Sequence, residues 1–339
     1  MRHADLRRRW RAGLRWLLMV VLSQPALALA APAGGPLLAQ NDDTTRPARP
    51  ASTESGTTVL YPDIGEPYRS IFSQIVEGIQ QRSRGRVFSQ KLGAATTSQE
   101  VLDELRRNDT KVLIALGRNG LRMADTLNSG LPVVAGAVLH TSENDAATVQ
   151  LHSLAPSPVL LFTRLKQIAP ATRRVLTVFN AAQNGWMMKL AVDAARQQGL
   201  ELVRYEAADA KAAARTFQEI FAEAERGRDA VWLVQDSVAV DDTVVLPYVL
   251  EEGWNRSIPV FSSSLAHVRR GALFALYPDN LELGRRLGSA AQVAAGSGTA
   301  RGLLPLQDTL LAVNVRSANH LGLRVNTTEL GVSLVFPTP

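Results

Sequence analysis

KVLIALGRNGLRMADTLNSGLPVVAGAVL, residues 111–139, decides the fold. Its first six residues form a branched, apolar run of strand length, GRNG (117–120) reads as a turn, and LRMADTL sets Leu121, Ala124 and Leu127 at helical spacing. LPVVAGAVL (131–139) is apolar again, so the order is strand, turn, helix, strand. A unit of this kind closes as a right-handed crossover between parallel strands. Ligands of parallel sheets bind beyond the carboxyl ends of the strands, which points to residues 117–120 and 136–140.

A second stretch answers the first. Residues 109–136 run DTKVLIALGRNG, helix, GLPVVAG; residues 229–264 run DAVWLVQDS, helix, RSIPVFSSS. Each is strand, polar turn, helix, small turn and a strand opened by proline, a position where a sheet tolerates that residue. The two are read as equivalent units of two similar doubly wound α/β lobes. Around them fall helices at 70–82 (with Ile71, Ile75, Val76 and Ile79 on one face), 97–107 (capped by Ser98), 159–168, 187–198, 210–226, 243–254, 280–295 and 315–321. Strands are expected at 57–60, 173–180, 200–205 and within 303–314, and residues 140–158 read as a polar connection.

The amino terminus is separate. Residues 1–16 are basic, 14–22 apolar, and ALALA at 26–30 offers small residues at signal-peptidase spacing, so residues 1–30 read as a secretory signal peptide. The apolar run is far short of the roughly 20 residues of a membrane span. Arg7, Arg8 and Arg9 fit a twin-arginine signal or an ordinary basic leader equally. Six arginines against Asp5 give this segment +5 of the whole chain's +6, which leaves +1 for the remainder and removes the support for nucleic-acid binding. Residues 31–56, rich in Pro, Gly, Ser and Thr, read as a disordered leader. There is no cysteine, which excludes disulfides, thiol chemistry and a lipid anchor on an amino-terminal cysteine. The expected location is the periplasm.

In their order, VLIALGRNG with LPVVAGAV, LKQIAPATRRVLTVFN, DAVWLVQDS, IPVFSSS, GALFALYPDNLELGRR and VNVRSANHLGL resemble the periplasmic substrate-binding proteins of ABC transporters, in the family with tryptophan-binding members. The resemblance spans residues 57–323, with Asn314, Ala318, Leu321 and Gly322 among the matches. It implies two Rossmann-like lobes joined by three crossovers, as in type I periplasmic binding proteins, closing on a small ligand. Lobe 1 is expected at 57–140 plus 265–303, and lobe 2 at 141–264 plus 304–339. The pattern departs from the family at Arg118 and Asn119, at Leu139, His140 and Thr141 in place of Asp-Pro, and at TVQLHSLAPSP (148–158) in place of a glycine-rich segment.

The resemblance puts Gly117, Arg118, Asn119, the segment after Gly136 with His140 and Thr141, Asn180, Asn184, Trp186, Asp236, Ser237, Ser262 and Ser263 at the cleft. Arg118 would clamp a carboxylate bidentately or stand solvated at a turn. Asp236 would hold an ammonium group or satisfy backbone N–H groups at a helix start. Trp186 would stack on a ligand or pack in the core, and Ser262 to Ser264 would offer hydroxyls or end the sheet. His140, His152 and His267 lack the spacing of a zinc site. No nucleophile elbow, HExxH or P-loop is present, so no catalytic residue, cofactor or metal is assigned. The leading expectation is a monomeric binding protein that hands a small polar or amino-acid-like ligand to an ABC permease. A sensory or accessory envelope protein is the alternative, and an extracytoplasmic enzyme the third.

Overall fold

The computed structural model describes residues 56–139, 143–298 and 300–337, which lie in one compact unit. The expected signal peptide, residues 31–55 of the expected disordered leader, His140 and Thr141 lie outside the described residues, and Gly56, the leader's expected last residue, opens the first strand.

The first sheet takes β1 (Gly56–Pro62), β2 (Val87–Leu92), β3 (Thr110–Leu116), β4 (Val133–Val138), β5 (Gln150–Pro156) and, from far along the chain, β11 (Gly302–Leu306). Their order is β2-β1-β3-β4-β5-β11, parallel throughout. The second sheet holds β6 (Arg174–Phe179), β7 (Glu201–Glu206), β8 (Asp229–Leu233), β9 (Val260–Ser262), β10 (Phe274–Pro278), β12 (Thr309–Asn314) and β13 (Val332–Phe336), ordered β7-β6-β8-β9-β10-β12-β13. Both sheets thus wind as 2-1-3-4-5, the doubly wound order whose switch point receives ligands. The paired units stand at equivalent places, β3 and β4 in one sheet and β8 and β9 in the other.

Helices cover both faces. In the first lobe these are α1 (Tyr68–Arg82), α2 (Ser98–Arg107), α3 (Gly117–Leu127) and α9 (Asn280–Ser297). In the second they include α4 (Pro158–Ile168), α5 (Ala181–Gln197), α6 (Ala210–Glu223), α7 (Val245–Asn255), α8 (Leu265–Arg270) and α10 (Val315–His320). The cap of α2 is Thr97, one residue before the expected Ser98, in a reciprocal capping box with Glu100. Helices α1 and α9 cross closely because Gly78 and Gly284 meet there; a Cβ on either would lie 2.1 Å from the carbonyl oxygen of Leu281 or Ile75. In the second lobe Trp232, Phe261 and Phe274 stack across β8, β9 and β10, with Phe162 of α4 edge-on to Trp232 at 5.3 Å. Pairs of this type add about 0.5–1.5 kcal/mol each beyond their buried area. Where β6 and β8 begin, Arg174 grips the fully buried Asp229 bidentately, at 2.8 and 2.6 Å.

The chain passes between the sheets three times: from β5 to α4, from β10 to α9, and from β11 to β12. The crossovers lie side by side. Ser157 N donates to Leu306 O at 2.9 Å, Asp279 N donates to Asp308 O at 3.0 Å, and Arg286 of α9 pairs with Asp308.

Sheet membership moves the expected lobe limits. Residues 150–156, expected in lobe 2, pair with β4 and β11 in the first sheet. Residues 274–278, expected in lobe 1, pair with β9 and β12 in the second. The polar residues of QLHSLAP concealed the first of these strands, whose His152 and Ser153 are buried. The edge strands β2 and β13, short and half exposed, carried no clear apolar run.

Candidate functional site

Both lobes turn strand ends toward one cleft of about 1040 Å³. From the first lobe come Pro62 at the end of β1 with Ile64 beyond it, Gly117, Arg118 and Asn119 after β3, and Ala137, Val138 and Leu139 at the end of β4. The amino-terminal part of α1 adds Tyr68, Ile71 and Phe72. From the second lobe come Gln235 after β8, Ser263 and Ser264 after β9, and Leu265. The crossovers close the floor with Tyr277, Pro278, Asp279 and Leu310.

The expected turn at GRNG is the first turn of α3 itself. The helix starts at Gly117, where φ is +69°, a conformation glycine takes without strain. A Cβ there would also press against Phe72, 3.3 Å away. Arg118 Nη1 donates to Asp145 Oδ1 at 2.8 Å, so the guanidinium at the cleft wall is held by the short helical turn Asn144–Ala146 that follows β4. The neighbouring Glu143 reaches the other lobe, accepting from Lys189 of α5 at 2.7 Å.

Four of the expected residues gather behind the second lobe's wall. Asp236 Oδ2 accepts from Asn180 N at 2.7 Å and Asn184 Nδ2 at 3.0 Å, while its Oδ1 accepts from Val238 N and Ala239 N at 2.9 and 2.8 Å. The carboxylate is buried and serves backbone N–H groups, the second of its two sequence readings. Ser237 exchanges hydrogen bonds with Gln183, 3.1 Å from its Nε2. This network ties the end of β8 to the start of α5.

The serines divide. Ser263 lines the cleft, and its Oγ accepts from the buried Trp232 Nε1 at 3.1 Å. Ser262 is fully buried and lies 2.7 Å from His267 Nδ1. Burial pushes the His267 imidazole down to about 4, with the nearby Asp242 opposing and Arg270 reinforcing the shift. Trp186 packs in the second core and borders a separate depression beside Glu143 and Lys189. Of the expected residues within the described chain, Gly117, Arg118, Asn119 and Ser263 line the cleft; Asn180, Asn184, Trp186, Asp236, Ser237 and Ser262 do not.

Sequence reading missed the apolar lining. Ile71 belongs to the inward face of α1, yet it sits at the amino-terminal end of the helix, where that face reaches the cleft. Among the described residues, no cluster of His, Asp and Glu is placed to hold a metal ion, and no helix is long and apolar enough to cross a membrane.

Two doubly wound lobes, three adjacent crossovers and a cleft between strand ends define the two-lobed binding-protein class. The chain belongs to the ABC transporter substrate-binding protein family, which matches residues 149–330. A ligand-free, open substrate-binding protein with adhesive properties from Clostridium difficile is 17% identical, with 83% of this chain and 99% of that one covered and a TM-score of 0.57. An ABC domain in complex with L-Trp from Streptococcus pneumonia is 16% identical, with 84% and 100% covered and a TM-score of 0.50. At these identities the likeness is one of fold. Comparison with curated proteins gives no match.

Proposed function

We propose that this chain is the periplasmic solute-binding component of an ABC importer, capturing a small ligand by hinge closure between its lobes. One observation carries the reading: a single cleft of about 1040 Å³ takes its walls from the strand ends of both lobes and its floor from the crossovers. The moving bodies are residues 56–156 with 280–306, and 158–278 with 309–336. Ligand binds preferentially to the closed arrangement and shifts the population toward it, with no chemistry required. A small polar or amino-acid-like ligand, the sequence expectation, would set its polar groups against Asn119, Gln235, Ser263 and Ser264. Export through a cleaved signal peptide and delivery to a permease as a monomer complete the proposal.

A thermal-shift screen tests capture, since a ligand at a hundred times its Kd adds about 2.7 kcal/mol of stability. Stabilisation by at least one small solute is expected; none across amino acids, carboxylates and neutral aromatics would refute solute capture of those classes. Permease and ATPase genes beside this one would support the importer role. A neighbouring outer-membrane receptor or sensor kinase without them would favour an accessory envelope protein.

A further inference from the structure

We infer that Asp308 is a positioning residue for lobe closure: gripped by Arg286 of the first lobe, its carboxylate restrains the one crossover of the three that proline leaves free to bend. The inference rests on the hinge-closure reading above and names a working part of that hinge.

The three crossovers differ in what stiffens them. The first is Ser157 alone, set between Pro156 at the end of β5 and Pro158 at the start of α4. The second is Asp279 alone, set between Pro278 at the end of β10 and the start of α9, which its side chain caps through Glu282 N at 3.1 Å. Proline fixes φ near about −65° and narrows the backbone of the residue before it. With the cap added, each of these single-residue links has little rotation to give. The third crossover has two residues, Gln307 and Asp308, and neither is proline nor adjoins one; Pro305 stands back in β11. Length and composition make it the loosest of the three.

The side-chain restraint falls on that third crossover. Arg286, on α9, donates from Nη2 to Asp308 Oδ1 at 2.7 Å and from Nε to Oδ2. A guanidinium held to both oxygens fixes the direction of the carboxylate as well as its distance. The Asp308 side chain is only 17% exposed, so water screens this pair less than it screens the open pairs of the surface. The backbone of the same residue is tied to the second crossover, where Asp279 N donates to Asp308 O at 3.0 Å. Thr309 opens β12 at once, so the last residue before the second lobe is anchored to the first. Lobe rotation must turn about Asp308 or break its grip. Neither Arg286 nor Asp308 lines the cleft, which separates this role from ligand contact.

The test needs no ligand. Spin labels at Gln80→Cys on α1 and Gln218→Cys on α6 report the interlobe distance by pulsed electron resonance. Asp308→Asn and Arg286→Gln should each raise the population outside the main peak of the labelled parent roughly two- to fivefold, the reach of one ion pair on a two-state balance. The double variant should go no further than the larger single effect, because both substitutions remove the same contact. Arg106→Gln, which opens the exposed pair with Asp103 on α2, should leave the distribution as it was. Circular dichroism melts verify that each variant is folded. Folded single variants with the parent's distribution would overturn the inference, as would two single effects that add in the double variant. The hinge-closure reading is tested apart from this, on the parent chain's response to a stabilising solute.

Discussion

In the first lobe β3 runs straight into α3 at Gly117, whereas in the second β8 is followed by residues 234–244 before α7 begins. Both segments leave the third strand of a doubly wound sheet at the same topological point. Directly joined, the first presents Arg118 and Asn119 to the cleft from a helix turn. With a longer connection, the second turns Asp236 back to satisfy its own loop and the start of α5. Equivalent position does not confer equivalent role. A polar side chain at a strand end faces a ligand only when the backbone around it has no claim on it.

That contrast can be broken most sharply at Asp236. Asp236→Ala strips an acceptor from four N–H groups in a buried site and should cost about 3–5 kcal/mol of unfolding free energy, measured by urea denaturation. A cost under 1 kcal/mol would mean that the carboxylate is not structural.

The next effect is on pH. Each lobe buries one histidine whose imidazole is pushed down to about 4, His152 in the first and His267 in the second. For His152 burial acts first and the Arg286 guanidinium second, and its buried Nε2 has no hydrogen-bond partner among the described residues. The unfolded chain takes up these protons near the ordinary 6.5 and the folded chain only near 4. Stability should therefore be full above pH 6.5, fall as pH drops toward 4, and level off below it, by on the order of 1–3 kcal/mol per histidine. His152→Leu should remove the first lobe's share of that slope, read by denaturation across pH.

Smaller effects belong to the exposed pairs. Arg118→Ala breaks a partly exposed bridge to Asp145 and should cost about 1 kcal/mol or less, in contrast to Asp236→Ala. Lys189→Ala removes the exposed contact between the lobes at Glu143, and should change stability by less than about 0.5 kcal/mol while widening the ligand-free distribution of interlobe distances.

Much of the fold was legible because the buried parallel strands are continuous apolar runs: VLIAL, VVAGAV, VLTVF and AVWLV all stand where they were read. β5 was not, because QLHSLAP buries polar side chains that a pattern of apolar runs passes over. The site was legible as a location and less so as chemistry. Strand ends are fixed by topology, which brought Gly117, Arg118, Asn119 and Ser263 to the cleft. Whether a polar side chain there is spent on backbone N–H groups depends on loop conformation, and nothing in QDSVAVD chooses between the two readings of Asp236. The apolar lining was hidden for a different reason: periodicity marks the inward face of α1 but not where along that face the core ends and the cleft begins.

Because the chain has no cysteine, Gln80→Cys on α1 and Gln218→Cys on α6, both exposed, admit one spin label on each lobe. Pulsed electron resonance then reads the distance between lobes, with and without a saturating concentration of a solute that stabilises the protein in the thermal-shift screen. The prediction is a shorter and narrower distribution on binding. An unchanged distribution with the cleft occupied would contradict capture by hinge closure.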